Sequence, residues 1–362
     1  MHKNKITILF ICPYPVGHSP SQRFRFEQYF YILKEHGYTY RVQSFLTAKN
    51  WQLFYQAGNS LLKATILLSG FFKRFFLLFK TASFDFVFIH REAAPVGPPL
   101  VEWFIATILR KKIIYDFDDA IWLTDKTNEG WFEKTLRWRG KVRSICKWGY
   151  RISCGNEYLA AFARHYNSSI VYNPTTIDTT DLHHAQRNPS SKKEKITIGW
   201  TGSHSTLKYL NTIESVLIEL EKKYAQIEIL VIANKKPEFQ LRSLKFLLWK
   251  RDTEAEDLLK MDIGIMPLPD DEWTKGKCGF KALQYMAMEI PAVVSRVGVN
   301  VDMVDHGVNG FHATTQAEWL ESLELLISNE TLRKEMGESG RKKVIDHYSV
   351  SSNTSTFLSL FL

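Results

Sequence analysis

The chain's 362 residues are too many for one compact core and suit two domains of about 150 to 180 residues; 45% apolar and 23% charged residues exclude wholesale disorder. The formal charge of +9 belongs to the first half: residues 1–180 hold 24 Lys and Arg against 13 Asp and Glu, net +11, whereas residues 181–362 hold 23 against 25, net −2. The first half is therefore drawn to anionic partners such as acidic headgroups, phosphate-bearing substrates or nucleic acid.

Ile6 to Cys12 reads as a first strand stopped by Pro13, and not as a signal peptide. After it, Tyr40 to Phe45, Phe86 to His90, Lys112 to Phe117 and Arg151 to Cys154 read as strands. Phe24 to His36, Pro99 to Arg110 and Glu157 to His165 read as helices. Between them, Leu61 to Phe79 is the most apolar stretch, but Lys63, Lys73 and Arg74 interrupt it and Lys80 follows, too much charge for a membrane-spanning helix. Residues 182–195, polar and centred on Asn188-Pro189-Ser190-Ser191, read as an interdomain linker. The alternation then restarts, with strands at Ile196 to Trp200, Ile227 to Ile232, Ile263 to Pro267 and Ala292 to Ser295. Helices are expected at Leu207 to Tyr224, Ala255 to Lys260, Phe280 to Met288 and Ala317 to Ile327. The pattern predicts an α/β protein of two Rossmann-like, doubly wound domains: residues 1–181, residues 196–345, and a closing helix at 346–362 that returns to the N-terminal domain. Ligands of such sheets sit at the carboxyl ends of the strands, so two facing domains predict an interdomain cleft.

Cys12, Cys146, Cys154 and Cys278 form no CxxC pair and stand at no zinc-finger spacing, which points away from a structural metal or disulfide framework and towards a reducing, cytoplasmic compartment. Lys275 to Ala313 concentrates the chemistry. Gly276 and Gly279 permit close backbone approach, and the N-terminus of a helix at Phe280 to Met288, flanked by Lys277 and Lys281, attracts a diphosphate. A glycine-containing loop before a core helix accounts for the same spacing. Pro291 to Ser295 and then Gly298-Val299-Asn300 supply a strand and a tight turn.

The succession of glycine loop, QYMAMEIP helix, PAVVS strand, VGVN turn and DHGVNGF resembles the C-terminal signature of the GT-B glycosyltransferases, in particular the retaining family 4 group. GESGRKKVIDHYS at residues 337–349 resembles that family's closing helix, and Asn156 to Asp178 resembles the end of its first domain. The resemblance implies a nucleotide-sugar donor, of UDP or GDP type, held mainly by the second domain, and a glycan or lipid-linked acceptor held mainly by the first. It implies no cofactor and no metal. Two glutamates of the family pattern are absent: Gly276 replaces the first and Gln284 the second, whose ribose contacts an amide shares. Gly202, Ser203 and Lys208 occupy the place of a phosphate-contacting loop, with Lys208 and Lys277 as the catalytic cations beside the leaving group. Gly202, Ser203, Lys277, Gly279, Phe280, Lys281 and Gln284 are thus the expected donor contacts, joined by Gly17, which resembles the glycine of the family's donor-facing loop. Surface placement of Lys208 and Gln284 without function remains the alternative.

In the first domain, Arg23 and Arg25 suit phosphate or an acidic acceptor, and His90 and Arg91 end a strand where polar clusters serve ligands. Asp116, Asp118 and Asp119 offer three readings: acceptor or catalytic support, with Asp118 catalytic; an Asp-x-Asp metal site of the GT-A type; or helix capping. If Leu61 to Lys80 is helical, Lys63, Lys73, Arg74 and Lys80 share an arc of roughly 120°, and Trp138, Arg139, Lys141, Arg143, Lys147 and Trp148 add a second basic patch. Both suit an anionic membrane surface at the inner face of the cell membrane; a core helix with solvated lysines is the other reading. No nucleic-acid-binding module is recognised. The leading expectation is a metal-independent, retaining glycosyltransferase, and a GT-B-like binding or scaffold protein without turnover is the second.

Overall fold

The computed structural model describes residues 5–56, 58–126, 129–183 and 195–362, so the expected linker lies, from 184 to 194, outside the described residues. The chain forms two units, one of residues up to Thr175 together with Asn353–Leu362, the other Thr176–Ser352.

In the first unit, β1 (Thr7–Cys12), β2 (Thr39–Ser44), β3 (Phe86–His90), β4 (Lys112–Phe117), β5 (Arg151–Cys154) and β6 (Ile170–Tyr172) form a parallel sheet in the order β2-β1-β3-β4-β5-β6. β1 lies inside the sheet, next to the edge strand β2, Phe10 pairing with Val42 on one side and Phe88 on the other. It is buried along most of its length, as a parallel strand covered on both faces must be. The closing helix Val350–Ser359 brings Phe357 into stacking contact with Tyr29 at 4.1 Å, and Phe361 packs on Phe86 and Phe88.

One charge of helix Ser60–Thr81 departs from its expected placement. Arg74 is fully buried, donating to the carbonyls of Ala93 (2.7 Å), Cys12 (2.8 Å) and Gln43 (2.9 Å). Burial lowers its pKa to about 10, which leaves it charged at neutral pH. It therefore leaves the expected basic arc and becomes a tie between β1, β2 and the segment after β3. The second basic patch is corrected likewise: Lys141 is buried against Glu92 and the Ala94 carbonyl, and Arg139 pairs with Glu129. Among the described residues no helix is long and apolar enough to cross a membrane.

In the second unit, β7 (Ile196–Gly202), β8 (Ile227–Ala233), β9 (Leu244–Leu248), β10 (Ile263–Met266), β11 (Ala292–Ser295) and β12 (Gly310–Ala313) form a parallel sheet in the order β12-β11-β10-β7-β8-β9. One layer of its core is continuous from Trp200 and Leu217 through Ile265 and Val293 to Trp319 and Leu323. The edge strands β6, β9 and β12 were not expected, and helices drawn as continuous are broken. Phe24 to His36 resolves into a 3-10 turn at Glu27–Tyr29 and a helix at Phe30–Glu35. Leu207 to Tyr224 resolves into 3-10 turns over His204–Ile213 and a helix over Glu214–Lys223. Pro99 to Arg110 becomes one helical turn, Leu100–Trp103, and a π turn, Phe104–Ile108.

Candidate functional site

Each sheet changes its direction of winding once, and the carboxyl ends of the strands at that point are where such folds place ligands. In the second unit the change lies between β7 and β10. The helix Phe280–Ala287 is bound there by Tyr285, whose hydroxyl accepts from the Thr201 amide at 3.0 Å and donates to the Ile265 carbonyl at 3.2 Å. Its N-cap, Gly279, adopts φ 65°, a left-handed conformation suited to glycine. A Cβ on Gly202 would meet Trp200 at 2.5 Å and Lys281 at 2.9 Å, so the end of β7 and the first turn of this helix are in van der Waals contact. Lys281 lies over the Trp200 ring at 5.5 Å and Lys277 over Trp273 at 4.8 Å. Both are half-buried, as is Phe280 between them. Lys208 and Ser203 are exposed in the segment that follows β7. Ser203 Oγ meets Ser205 Oγ at 2.8 Å, and the His204 amide donates to Asn234 beyond β8 at 2.7 Å. Gly202, Ser203, Lys277, Gly279, Phe280 and Lys281 are thus grouped at one end of the sheet; Trp200, Trp273, His204 and Asn234 join them without having been foreseen, because nothing in their local spacing marks them.

Gln284 does not share that surface. It is 2% exposed, and its amide donates to Glu254 at 3.0 Å and lies 3.4 Å from His183. In this structure Gln284 is an internal tie, its side chain leaving the inward face of the helix. Gly17 has φ 82°, and its amide donates to Glu27 Oε2 at 2.8 Å.

In the first unit, winding reverses between β1 and β3. Three of the expected acceptor residues are interior here. Arg25, His90 and Asp116 have no exposure above 1% and bond one another. His90 Nδ1 lies 2.7 Å from Asp116 Oδ2, and Ser153 donates to Asp116 Oδ1 at 2.6 Å. Burial alone raises a carboxyl pKa, but the Arg25 guanidinium and His90 outweigh it and hold Asp116 well below the usual range. Arg23 is also buried, its guanidinium 4.8 Å from the Phe24 ring centre. In this structure the network of Arg25, His90 and Asp116 supports the strand ends.

What remains partly open is Ser21, Arg91, Asp118 and Asp119. Arg91 Nε donates to Asp118 at 2.9 Å, and its guanidinium also pairs with Asp119. Burial opposes the charge, yet the two carboxylates outweigh it and keep Arg91 protonated. Arg91 stands at φ 60°, rare for a residue with a side chain, held by its own amide on the Asp116 carbonyl (2.7 Å) and its carbonyl on the Tyr115 hydroxyl (2.8 Å). Ser21, which no sequence motif marks, sits 2.7 Å from His90 Nε2 and donates to Asp118 at 3.1 Å. An arginine here occupies the cation position between Asp118 and Asp119. Among the described residues no three His, Cys, Asp or Glu side chains are grouped to hold a metal.

Residues 189–343 match the family model described as Glycosyl transferases group 1. The chain is a glycosyltransferase carrying a group 1 domain. No curated protein matches the sequence. Among solved structures, sucrose-phosphate synthase from Thermosynechococcus elongatus is similar at TM-score 0.73 and 10% identity, over 99% of this chain and 98% of that one. A glycosyltransferase from Rickettsia africae is similar at 0.69 and 17%, over 99% and 98%. Anabaena HepE, solved in complex with UDP and glucose, is similar at 0.66 and 14%, over 98% and 99%. At these identities the likeness shows the fold of the glycosyltransferase, which is GT-B.

Proposed function

We propose that this glycosyltransferase moves a sugar from a nucleoside diphosphate donor, bound by the second unit, to a hydroxyl of a glycan or lipid-linked acceptor bound by the first. The observation that carries the reading is the meeting of the Gly202-Ser203 loop, the glycine-capped helix N-terminus at Phe280 and the lysines Lys277 and Lys281 at the winding reversal of the matched domain. The complex of Anabaena HepE with UDP and glucose supports a donor of the same class.

Helix amides and ammonium groups aimed at a diphosphate stabilise charge that grows as the sugar departs, which lowers the barrier without a proton transfer. In this proposal Lys277 and Lys281 receive that charge, Lys208 adds a cation from the first turn after β7, and no metal is required. The acceptor hydroxyl is held by Ser21, Arg91 and Asp118, Asp118 accepting its proton, with attack on the face the diphosphate leaves, so that configuration is retained. An anionic membrane surface is the proposed setting, from the net +11 of residues 1–180.

Calorimetric titration with UDP and GDP, followed by turnover with sugars of the matching nucleotide, tests the reading. Binding of one nucleotide and transfer insensitive to EDTA, with the product's anomeric coupling unchanged from the donor's, is the expected result. Nucleotide binding without transfer or donor hydrolysis would instead leave a binding protein, and loss of transfer on adding EDTA would remove the metal-free mechanism.

A further inference from the structure

Helix Ser60–Thr81 buries Ile66, Gly70, Arg74, Leu77 and Thr81 and turns aromatic side chains outward. Leu68, Phe72, Phe75, Phe76 and Phe79 are each more than half exposed, and at 100° per residue they share an arc of about 100° opposite the buried stripe. Lys73 and Lys80 run along one edge of that arc. Along the other, Phe71, Phe75, Leu78 and Phe79 form one wall of a cavity of about 720 Å³, and residues 96–104 form the opposite wall. That volume is typical of sites for small organic ligands. Its single ionisable residue, Glu102, spends Oε1 on the Ala93 amide at 2.9 Å. Leu100 and Trp103 are exposed on its walls.

The cavity adjoins the open polar cluster of the same unit. Ala94, in its lining, is three residues beyond Arg91, and Lys141 bridges the interval, donating to the Ala94 carbonyl at 2.8 Å and pairing with Glu92 at 2.7 Å. A peptide or a sugar would leave its polar groups unpaired against such walls, whereas a hydrocarbon chain needs no partner. We propose that the acceptor is an amphiphile, its polar head at Arg91, Asp118 and Asp119 and the adjoining length of its hydrocarbon chain in this cavity. The exposed phenylalanines continue the apolar path for the remainder of the chain, and the positive charge of the N-terminal half suits a phosphate link between chain and head. The inference rests on the reading of the first unit as the acceptor half and selects a lipid-linked acceptor over a soluble glycan.

The probe is dodecyl phosphate below its micelle concentration, titrated calorimetrically into the full chain, with UDP and GDP titrated in parallel. Ala82 lines the cavity from an exposed, right-handed position at the helix end, so Ala82→Trp fills the space without disturbing the core. Phe76 belongs to the outer row and not to the cavity wall. Binding by the native chain, weakened at least tenfold in Ala82→Trp and unchanged in Phe76→Glu, is expected. Absence of binding, or equal affinity of the native and Ala82→Trp chains, overturns the proposal; so does equal weakening by both variants, which would place the chain on the outer row. In a second arm, retention on phosphatidylcholine vesicles containing phosphatidylglycerol should be the same for Ala82→Trp and the native chain. A fall would put a bilayer acyl chain in the cavity and overturn the assignment to acceptor. Binding of nucleotide without dodecyl phosphate sinks this inference alone, whereas binding of dodecyl phosphate without either nucleotide sinks the transferase reading and, with it, the assignment of the bound amphiphile as acceptor.

Discussion

Asp116 ends β4 beneath the open cluster, and its two oxygens join Arg25, His90 and Ser153. Removing one partner of a buried ion pair leaves the other charge uncompensated, at a cost of about 3–5 kcal/mol, so Asp116→Asn should lose stability in that range by urea titration at pH 7. An unfolded aspartate titrates near pH ~3.9, and the folded one is held well below it. Asp116 therefore contributes stability that is complete above the unfolded value and is lost as pH falls through the folded one. In Asp116→Asn the fall in stability below about pH 4 should flatten, read as urea midpoints across roughly pH 2.5 to 7; an unchanged acid limb would show that other carboxylates govern it. In the second unit, two side chains of one helix separate binding from packing. A charge-assisted bond contributes ~1.5–3 kcal/mol, so Lys281→Ala should weaken nucleotide affinity by about tenfold or more with the melting temperature little changed. Gln284→Ala, which strips a buried partner from Glu254, should lower stability more than affinity. Residue types and spacing were enough to bring Lys277, Lys281 and Gly279 to notice. Gln284 and Lys281 lie three residues apart on one helix, and only the packing of that helix on the sheet decides which of them faces inward.

Helix ends and edge strands show the same limit at the next scale. The helix Phe280–Ala287 was legible because glycine, apolar periodicity and the following Pro291 mark both its ends. The strands β6, β9 and β12 were not: each has three to five residues and lies at a sheet edge, and short edge strands carry weak apolar signals. After the same helix, Glu289 adopts φ 57°, where a side chain costs about 1 kcal/mol. Its contact with Arg341 at 3.7 Å is partly exposed and offsets little. Glu289→Gly should therefore raise thermal stability by about 1 kcal/mol, and a drop would mean that the Arg341 contact matters more than the backbone strain. Gly337 lies against the Glu289 backbone, leaving no room for a Cβ; Gly337→Ala should destabilise the second unit, measured in the same melts.

At the scale of the molecule, the chain leaves the first unit after Thr175 and returns to it at Asn353. Phe357, fully buried on Tyr29, fastens that return. Large aromatic truncations in a core cost about 3–5 kcal/mol. Phe357→Ala should accordingly lower the unfolding midpoint of the first unit while nucleotide affinity in the second is kept; equal loss in both would contradict their separate cores. The sequence by itself determined the alternation of strand and helix, the division into two doubly wound units, the strand-end loops that carry glycine and lysine, and the excess of positive charge in the N-terminal half. These follow from periodicity, turn chemistry and charge, which are properties of neighbours along the chain. Only the tertiary structure decided that Arg74, Arg25, His90 and Asp116 are internal ties, that Ser21 stands beside His90, and that a row of phenylalanines faces outward beside an apolar cavity. Burial and pairing of those groups depend on partners 19 to 148 residues away, and no local pattern encodes which distant strand end a side chain will meet.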